Sequence, residues 1–290
     1  MYTRKISGLR IIQRSWLGCF NLIFGKPVIV YPFLFISILE LISILTLFLF
    51  IQPPLVKYIN PIVLRFWGEK FLHYPLNLVL LSRLFSYLQL AVLVIFGTFA
   101  TGMTINMSAD YFLNNQFSFK KAVLATITKY VSLLIISLLI FFLLHQSQVL
   151  ENRVLLKILN RGRSFLGVGV EDWKTLFLVF SVVVSGIIQT IFIFIQPAIM
   201  IENKNFFLAI FRNLSFVMRN LFSALILTII PLTVFIPVVL LKSNMIVLMN
   251  RLIPEIVFII LIAGVFISFF INLVITISIT KAYLVIKNDK

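Results

Sequence analysis

A carboxyl group within an apolar run is the residue whose chemistry is most informative. Glu40 lies in the middle of SILELISIL, inside a stretch of almost uninterrupted hydrocarbon side chains. A charge at the centre of a bilayer costs at least about 2.5 kcal/mol unless it is paired, hydrated or protonated. Glu40 must therefore face protein, face water or hold a proton. It is either a functional proton or cation site, or a structural carboxyl bonded to a neighbouring helix.

Polar residues in the other apolar runs are the possible partners of this carboxyl. Glu40, Lys129 and Asn272 form the candidate intramembrane polar site. The further partners that the sequence offers are Arg83, Gln89 and Gln189. Polar groups of this kind, including Asn106 and Gln196, commonly form hydrogen bonds between helices worth about 1 kcal/mol each. The sequence alone does not choose among these partners.

The motifs of common enzyme and metal sites are not found in the sequence. G-x-x-x-x-G-K-[ST], H-E-x-x-H, G-x-S-x-G and C-x-x-C do not occur. One cysteine, Cys19, and two histidines, His73 and His145, are too few to indicate a metal site. The adjacent Glu171 and Asp172 are interpreted as a solvated pair. We therefore expect no catalytic residue, no cofactor and no bound metal.

The composition indicates the elements that position these residues. Hydrophobic residues make up 61% of the 290-residue chain, charged residues 12%, and the mean hydropathy is +1.11. A soluble domain typically carries about twice this charged fraction. The net charge is +16, but no RNA-binding or DNA-binding motif is present, so nucleic acid is not an expected partner.

Six apolar runs are long enough to cross a bilayer as helices, which takes about 20 residues. They lie at about 31–52, 80–106, 122–145, 175–201, 214–241 and 255–280. Apolar side chains surround most runs, unlike the alternating pattern of a membrane β-barrel. The sequence predicts an all-α, polytopic membrane helical bundle of about six transmembrane helices. Residues 1–290 would form a single integral membrane domain.

Basic amphipathic stretches interrupt the apolar runs. In ENKNFFLAIFRNLSFVMRN, residues 202–220, helical geometry places Lys204, Arg212, Ser215 and Arg219 within an arc of about 80°. Such a pattern is typical of a helix lying in the headgroup plane. Segments 1–30 and 114–130 share it. The candidate contacts with anionic lipid headgroups are Arg10, Arg14, Lys204, Arg212 and Arg219.

These three stretches allow a threefold repeat. Each unit would be a cytoplasmic amphipathic helix followed by a transmembrane hairpin. Alternatively, any basic segment beside a span looks amphipathic. Pro231 and Pro237 lie in the fifth run and should kink it.

The first segment predicts the orientation. It carries Arg4, Lys5, Arg10, Arg14 and Lys26 and no acidic residue, so the positive-inside rule keeps it in the cytoplasm. Six spans return the C-terminus to the same side. The outer loops would be about 53–79, 146–174 and 242–254, with a short surface helix at 151–160. Over the whole chain, 13 basic residues fall on the cytoplasmic side and 11 on the outer side, so the orientation depends on the first segment.

Two stretches resemble a known family. QPAIMIENKNFFLAIFRNLSFVMRNLF is similar to a recurring element of bacterial six-span proteins, through Glu202, Ala209, Arg212 and Ser215. These are the membrane-domain family of glycerophosphodiester phosphodiesterases and its uncharacterised relatives. SWLGCFNLIFGKPVIVYPFLF resembles the way that such proteins enter their first span. The chain lacks the glycine usual in the family's turn, and it lacks the catalytic domain, so phosphodiesterase activity is not implied.

Two functional hypotheses follow. The first is a non-catalytic protein of the bacterial inner membrane with an accessory, scaffold or lipid-handling role, whose partners include anionic lipid headgroups. The second is a transporter or permease subunit that works with a separate ATPase. In that case residues 108–121 or 202–213 would form the coupling helix.

Overall fold

The computed structural model describes residues 8–52, 54–160 and 170–288, and within these ranges the chain is helical with no strand. Arg4 and Lys5 lie outside the described residues. The first half of the chain forms α1 (Gly8–Gly25), α2 (Tyr31–Phe50), α3 (Val56–Phe66), α4 (Leu76–Val92), α5 (Thr98–Asn114) and α6 (Phe119–Asn160). The second half forms α7 (Val170–Phe192), α8 (Ile195–Glu202), α9 (Phe206–Arg219), α10 (Leu221–Thr233), α11 (Ile236–Ser243), α12 (Met245–Arg251) and α13 (Ile256–Asn288). Short 3₁₀ turns at Pro27–Val30 and Glu69–Leu72 and a π-helical segment at Leu93–Gly97 complete the described elements.

The predicted all-α, polytopic membrane bundle is confirmed. Five helical stretches are long and apolar enough to cross a membrane: Pro27–Phe50, Leu76–Asn114, Phe119–Leu156, Thr175–Glu202 and Ile256–Asn288. A sixth is added if α9 and α10, which meet at 94°, are counted as one broken span. The described part of the protein therefore has five or six candidate spans.

Several of the predicted spans were too short. The second span, predicted at 80–106, occupies Leu76–Asn114, and the sixth, predicted at 255–280, continues to Asn288. The surface helix expected at 151–160 is the last part of α6. The sequence between His145 and Asn160 contains no glycine or proline, so nothing interrupts the helix where the chain becomes polar.

The fifth predicted span, 214–241, is interrupted twice. The chain turns at Asn220, whose backbone is not helical, and this separates α9 from α10. The second interruption lies between α10 and α11, beside Pro231 and Pro237. Because proline has no N–H, Pro237 cannot continue the helical hydrogen bonding of α10. The kink expected from these two prolines is present.

The predicted amphipathic helices appear in two of the three places. The helices α1 and α9 are separate elements that precede spans. In the middle stretch, 114–130, α5 ends at the left-handed Asn115 (φ 56°), and Phe119 begins α6, which continues without a break. The middle unit of the threefold repeat therefore has no surface helix of its own.

The order of the helices defines two sides of the bundle. The terminal side carries α1, the turns at Asn115 and Asn203, α9 and the end of α13. The opposite side carries α3, α12 and the far end of α6. Small residues allow close packing between spans. A Cβ atom at Gly102 on α5 would lie 2.7 Å from Thr126 and 2.8 Å from Leu133 on α6.

Candidate functional site

A cavity of about 640 Å³ lies between the helices of the bundle and is called here the central cavity. Its wall combines apolar residues with amide and hydroxyl side chains. The polar residues are Ser86, Gln89, Thr98, Thr101, Ser137, Gln148, Gln189, Gln196, Thr228, Ser268, Asn272 and Thr276. Among the described residues, no Asp, Glu, Lys or Arg lines it. The wall is thus predominantly apolar, and its polar groups are uncharged.

A second cavity, of about 680 Å³, adjoins the first and is called here the side cavity. It lies among α6, α7, α10 and α11. Both cavities are lined by Leu144, Gln148, Gln189, Leu232 and Phe235. The side cavity also reaches Glu151, Asn152, Ser243 and Asn244, at the opposite-side ends of α6 and α11. Together the two cavities extend from the middle of the bundle towards the opposite side.

Polar side chains of the wall contact each other across helices. The hydroxyl oxygens of Thr98 and Ser137 are 2.8 Å apart and join α5 to α6. The Gln196 amide donates to the Ser137 hydroxyl at 3.5 Å, and the Asn272 amide donates to Ser268 at 3.3 Å. The predicted interhelical role of Gln196 is therefore present, whereas the Asn272 bond lies within α13.

Irregular backbone is concentrated at the central cavity. Leu93, Val94 and Gly97 belong to the π-helical segment and line the wall. The Tyr130 hydroxyl of α6 donates to the carbonyl of Ile95 in this segment at 2.9 Å. Single π-helical turns inside helices are frequent at functional sites.

A second irregularity lies where α7 ends and α8 begins, at Ile193 and Phe194. Pro197 removes the donor that would bond the Ile193 carbonyl, so the helix is interrupted. Asn213, on α9, satisfies backbone groups at this break. Its oxygen accepts from the Phe194 N–H at 2.9 Å, and its amide donates to the Ile191 carbonyl at 2.6 Å.

Charged side chains contact the C-terminal end of α8, on the terminal side of the bundle. The Glu202 carboxylate pairs with Lys204 at 3.1 Å, Arg212 at 3.3 Å and Lys287 at 3.9 Å. Lys129 donates to the Met200 carbonyl at 2.9 Å and to the Asn203 side chain. A lysine is favourable there because the carbonyls at a helix C-terminus carry partial negative charge.

Phe194, Phe216 and Tyr283 fill the interior near these charges. Their ring centroids lie between 5.1 and 6.2 Å apart. This cluster and the Glu202 ion pairs close the terminal side of the bundle.

The three residues of the candidate polar site lie in different places. Glu40 is buried in α2, Lys129 donates a hydrogen bond to the Met200 carbonyl at the end of α8, and Asn272 lines the central cavity. The polar groups that act on the Glu40 carboxyl are Gln89 on α4 and Lys242 on α11. Gln89 was among the partners expected from the sequence, whereas Lys242 was not.

Lys242 was missed because the sequence analysis placed it in an outer loop. In the structure α11 continues to Ser243, so Lys242 occupies its last turn. It lies one turn after the buried Val238, on the same face of the helix. Its Nζ is 3.8 Å from the Cβ position of Gly264 and 5.8 Å from the ring centre of Phe85. Helical spacing from Val238 is the signal that could have identified it.

The five expected headgroup contacts fall into two groups. Arg10, Arg14 and Arg219 are exposed on the terminal side. Lys204 and Arg212 pair instead with Glu202. The outward face of α9 is apolar, with Phe207, Phe211, Leu214 and Met218 exposed. Contact between these five basic residues and lipid headgroups stays a prediction.

The fold and the cavities define a class: a membrane-embedded helical protein whose central cavity is lined by apolar and uncharged polar side chains. No protein-family model, curated protein or solved structure matches the chain. The resemblance to the membrane domain of glycerophosphodiester phosphodiesterases therefore stays a prediction.

Proposed function

We propose that this protein is a transporter that takes up a small, net-neutral, hydrogen-bonding solute in its central cavity. We place it in the bacterial inner membrane with both termini in the cytoplasm. The polar wall of the cavity is the observation that carries the proposal. The exposed arginines of the terminal side support the orientation, because cytoplasmic segments are enriched in Lys and Arg.

The polarity of the wall is difficult to explain by packing alone. Four of the eight glutamines in the chain line the central cavity. Gln89, Gln189 and Gln196 are half-buried, whereas Gln148 is exposed. An amide that faces an apolar medium without a hydrogen bond costs several kcal/mol. Water or a polar solute in the cavity would satisfy these groups. An amide both donates and accepts, so this wall suits a neutral or zwitterionic solute better than a single-sign ion.

The broken helices also fit transport. Membrane transporters commonly bind substrate near the middle of the bilayer, where interrupted helices expose backbone groups. Here the α7–α8 break, the α10–α11 break and the π-helical segment all contribute residues to the central cavity. The side cavity supplies a route to the opposite side, and the ion pairs of Glu202 close the terminal side. This corresponds to one of the two states that alternating access requires.

A partner ATPase is less well supported than transport itself. Residues 202–213, one of the two expected coupling segments, form the end of α8, a turn and the first half of α9. The basic residues of this segment pair with Glu202, and the exposed face of α9 is apolar. Such a face suits lipid acyl chains better than a soluble subunit. We therefore favour a transporter that works without an ATPase.

An accessory or lipid-handling role is the second proposal, and the apolar outward face of α9 favours it. Mass spectrometry of the protein purified from native membranes separates the two. A phospholipid held in the central cavity, without uptake of any neutral solute by proteoliposomes, would support lipid handling. Uptake of an amide, polyol or zwitterionic solute that Gln189→Leu and Gln196→Leu reduce would support transport.

Cysteine accessibility tests the polar cavity directly. In a Cys19→Ser background, Gln148→Cys and Gln189→Cys should react with a charged, water-soluble thiosulfonate added from the opposite side. We expect rates at least about tenfold above that of Phe180→Cys, because thiolates form in water and not in hydrocarbon. Phe180 is the matched control, since it is exposed on the outer surface of α7. Equal rates at all three positions would contradict a hydrated cavity.

A further inference from the structure

Glu40 is an acid without a complete set of partners in the interior of the bundle. Its side chain is 2% exposed, at the middle of α2. The Oε1 atom is buried and has no hydrogen-bond partner. A buried carboxylate is costly unless its oxygens are hydrogen-bonded or it takes up a proton. The site therefore has room for one further interaction on Glu40 itself.

Gln89 links this acid to the central cavity. Its amide interacts with the Glu40 carboxyl and also lines the cavity wall. Glu40 thus lies one side chain behind the wall. If the cavity holds water, a proton donor would come within one side chain of the Glu40 carboxyl.

Lys242 supplies the opposite charge, and it lies beyond a break in the helix. It is in the last turn of α11, beyond the interruption between α10 and α11. Phe235 and Val239, which precede Lys242 in the chain, line the side cavity. The positive charge of Lys242 on α11 therefore favours the ionised form of the Glu40 carboxyl on α2.

The other titratable groups on the helices around α2 face elsewhere or lie at helix ends. Arg83 of α4 lies over Phe71, Asp110 of α5 pairs with Lys121, and Lys281 of α13 lies over Phe112. The remaining described groups are the exposed Tyr87 of α4, Tyr111 at the end of α5, Tyr283 and Lys287 near the end of α13, Lys57, Tyr58 and Arg65 of α3, and Tyr31 at the start of α2. Among the charges of the described residues, Lys242 is therefore the one that acts on Glu40.

We propose that Glu40 is a proton-binding site that couples proton movement to the central cavity. In one state the ionised carboxylate is attracted to Lys242. In the other, a hydronium ion in the cavity has released a proton to a carboxylate oxygen and become water, and the new hydroxyl donates to the Gln89 amide oxygen. The Glu40–Lys242 pair then changes from net neutral to a charge of +1, and α11 loses an attraction to α2. This inference rests on the proposed transport function, and it supplies the driving ion for a transporter without an ATPase.

Infrared difference spectroscopy of the full chain in lipid nanodiscs tests the proton site. We expect the carbonyl stretch of a protonated, buried carboxyl to appear as the pH is lowered across the range of about 9 to 5 in which perturbed carboxyls titrate. Glu40→Gln should abolish this band, and Glu69→Gln, which alters an exposed acid, should leave it. A band that persists in Glu40→Gln, or no pH-dependent band at all, would overturn the proposal.

A second measurement tests the coupling. At one fixed pH, Gln148→Cys is labelled in the Cys19→Ser background with Glu40 or with Glu40→Gln, which imitates the protonated state. We expect labelling rates that differ severalfold; equal rates would overturn the coupling. If Gln148→Cys is labelled neither with Glu40 nor with Glu40→Gln, both the coupling and the proposed transport are overturned. The infrared carbonyl band that disappears in Glu40→Gln would still establish the proton site.

Folding of the variants is checked by gel filtration and thermal melting in detergent. Glu40→Gln keeps the size and hydrogen bonding of the side chain, so it should melt close to the parent. Glu40→Leu leaves Lys242 and Gln89 without their partner and should melt at a lower temperature. An unchanged melting temperature for Glu40→Leu would show that Glu40 has no energetic link to Lys242 and Gln89, and this result would also overturn the proposal.

Discussion

At the residue scale, the polar side chains of the bundle divide into two kinds. Many hydroxyls bond to the carbonyl four residues earlier in their own helix: Ser15, Ser37, Thr126, Thr190, Thr228 and Thr280 do so. A hydroxyl satisfied in this way needs no other partner. Glutamine side chains are longer and extend away from their own backbone. Gln89, Gln148, Gln189 and Gln196 are therefore the residues that make the cavity a site rather than a packing defect.

The single cysteine provides a residue-scale prediction. Cys19 on α1 is fully buried, and its thiol points to the Val274 carbonyl at 3.8 Å. Burial raises the pKa of the Cys19 thiol to about 11. Because a raised pKa disfavours the thiolate, the folded protein should resist water-soluble thiol reagents at pH 7, and labelling should increase only as the pH approaches this value. Labelling followed by mass spectrometry checks this.

Denaturation in dodecyl sulfate is the control, since it should expose Cys19 and allow full modification at neutral pH. Rapid modification of the native protein would contradict the buried position of α1 against α13. It would also remove the clean background on which the cysteine experiments at the cavity depend.

At the element scale, α9 holds an interrupted helix together. It meets α10 at 94°, exposes its apolar residues and directs Asn213 inwards to the α7–α8 break. Arg212 also points inwards, to Glu202, and lies over the ring of Phe216 at 4.5 Å. The helix is therefore amphipathic, but part of its polar face contacts protein and its apolar face points outwards.

Replacing Asn213 should destabilise the bundle. Asn213→Leu leaves the Phe194 N–H and the Ile191 carbonyl without partners, and a buried unpaired group costs about 1–3 kcal/mol. We expect a lower melting temperature in detergent, measured by loss of helical circular dichroism. Asn213→Asp keeps an acceptor for Phe194 but loses the donor to Ile191, so it should fall between Asn213→Leu and the parent.

Asn220→Leu is the matched control for this change. The Asn220 amide donates only to the Phe216 carbonyl of the preceding turn, at 3.3 Å. It makes no bond to the α7–α8 break, so its loss should have the smaller effect. Equal destabilisation by Asn213→Leu and Asn220→Leu would show that the hydrogen bonds of Asn213 to the α7–α8 break do not contribute to the stability of the bundle.

At the scale of the whole molecule, the sequence predicted the class of fold and the centres of five spans. It did not predict their ends, because a hydropathy pattern stops where polar residues begin, whereas α6 continues through them to Asn160. Periodicity identified the amphipathic helix α9 but not which face contacts protein. Gln89, Gln189 and Asn272 were recognised as interior polar residues. Their grouping around one cavity, and the role of Lys242, required the packing of distant helices.

The number of membrane crossings depends on whether α10 and α11 together span the bilayer. Leu221–Ser243 would be about 34 Å long at 1.5 Å per residue, enough for a hydrocarbon core of about 30 Å. If this segment crosses, there are six spans and both termini share one side. In the structure α12 and the start of α13 pack with α3 and the start of α4, and the end of α13 packs against α1, so α10 and α11 run from one side of the bundle to the other. A five-span arrangement would instead keep α12 on the terminal side and place the end of α13 on the other side. Single cysteines in the Cys19→Ser background distinguish the two arrangements. We expect Lys26→Cys and Asn288→Cys to react from the cytoplasm, and Glu69→Cys and Asn250→Cys from the other side. A five-span protein would exchange the sides of Asn250→Cys and Asn288→Cys together while leaving the first two unchanged, a pattern that local misfolding would not produce.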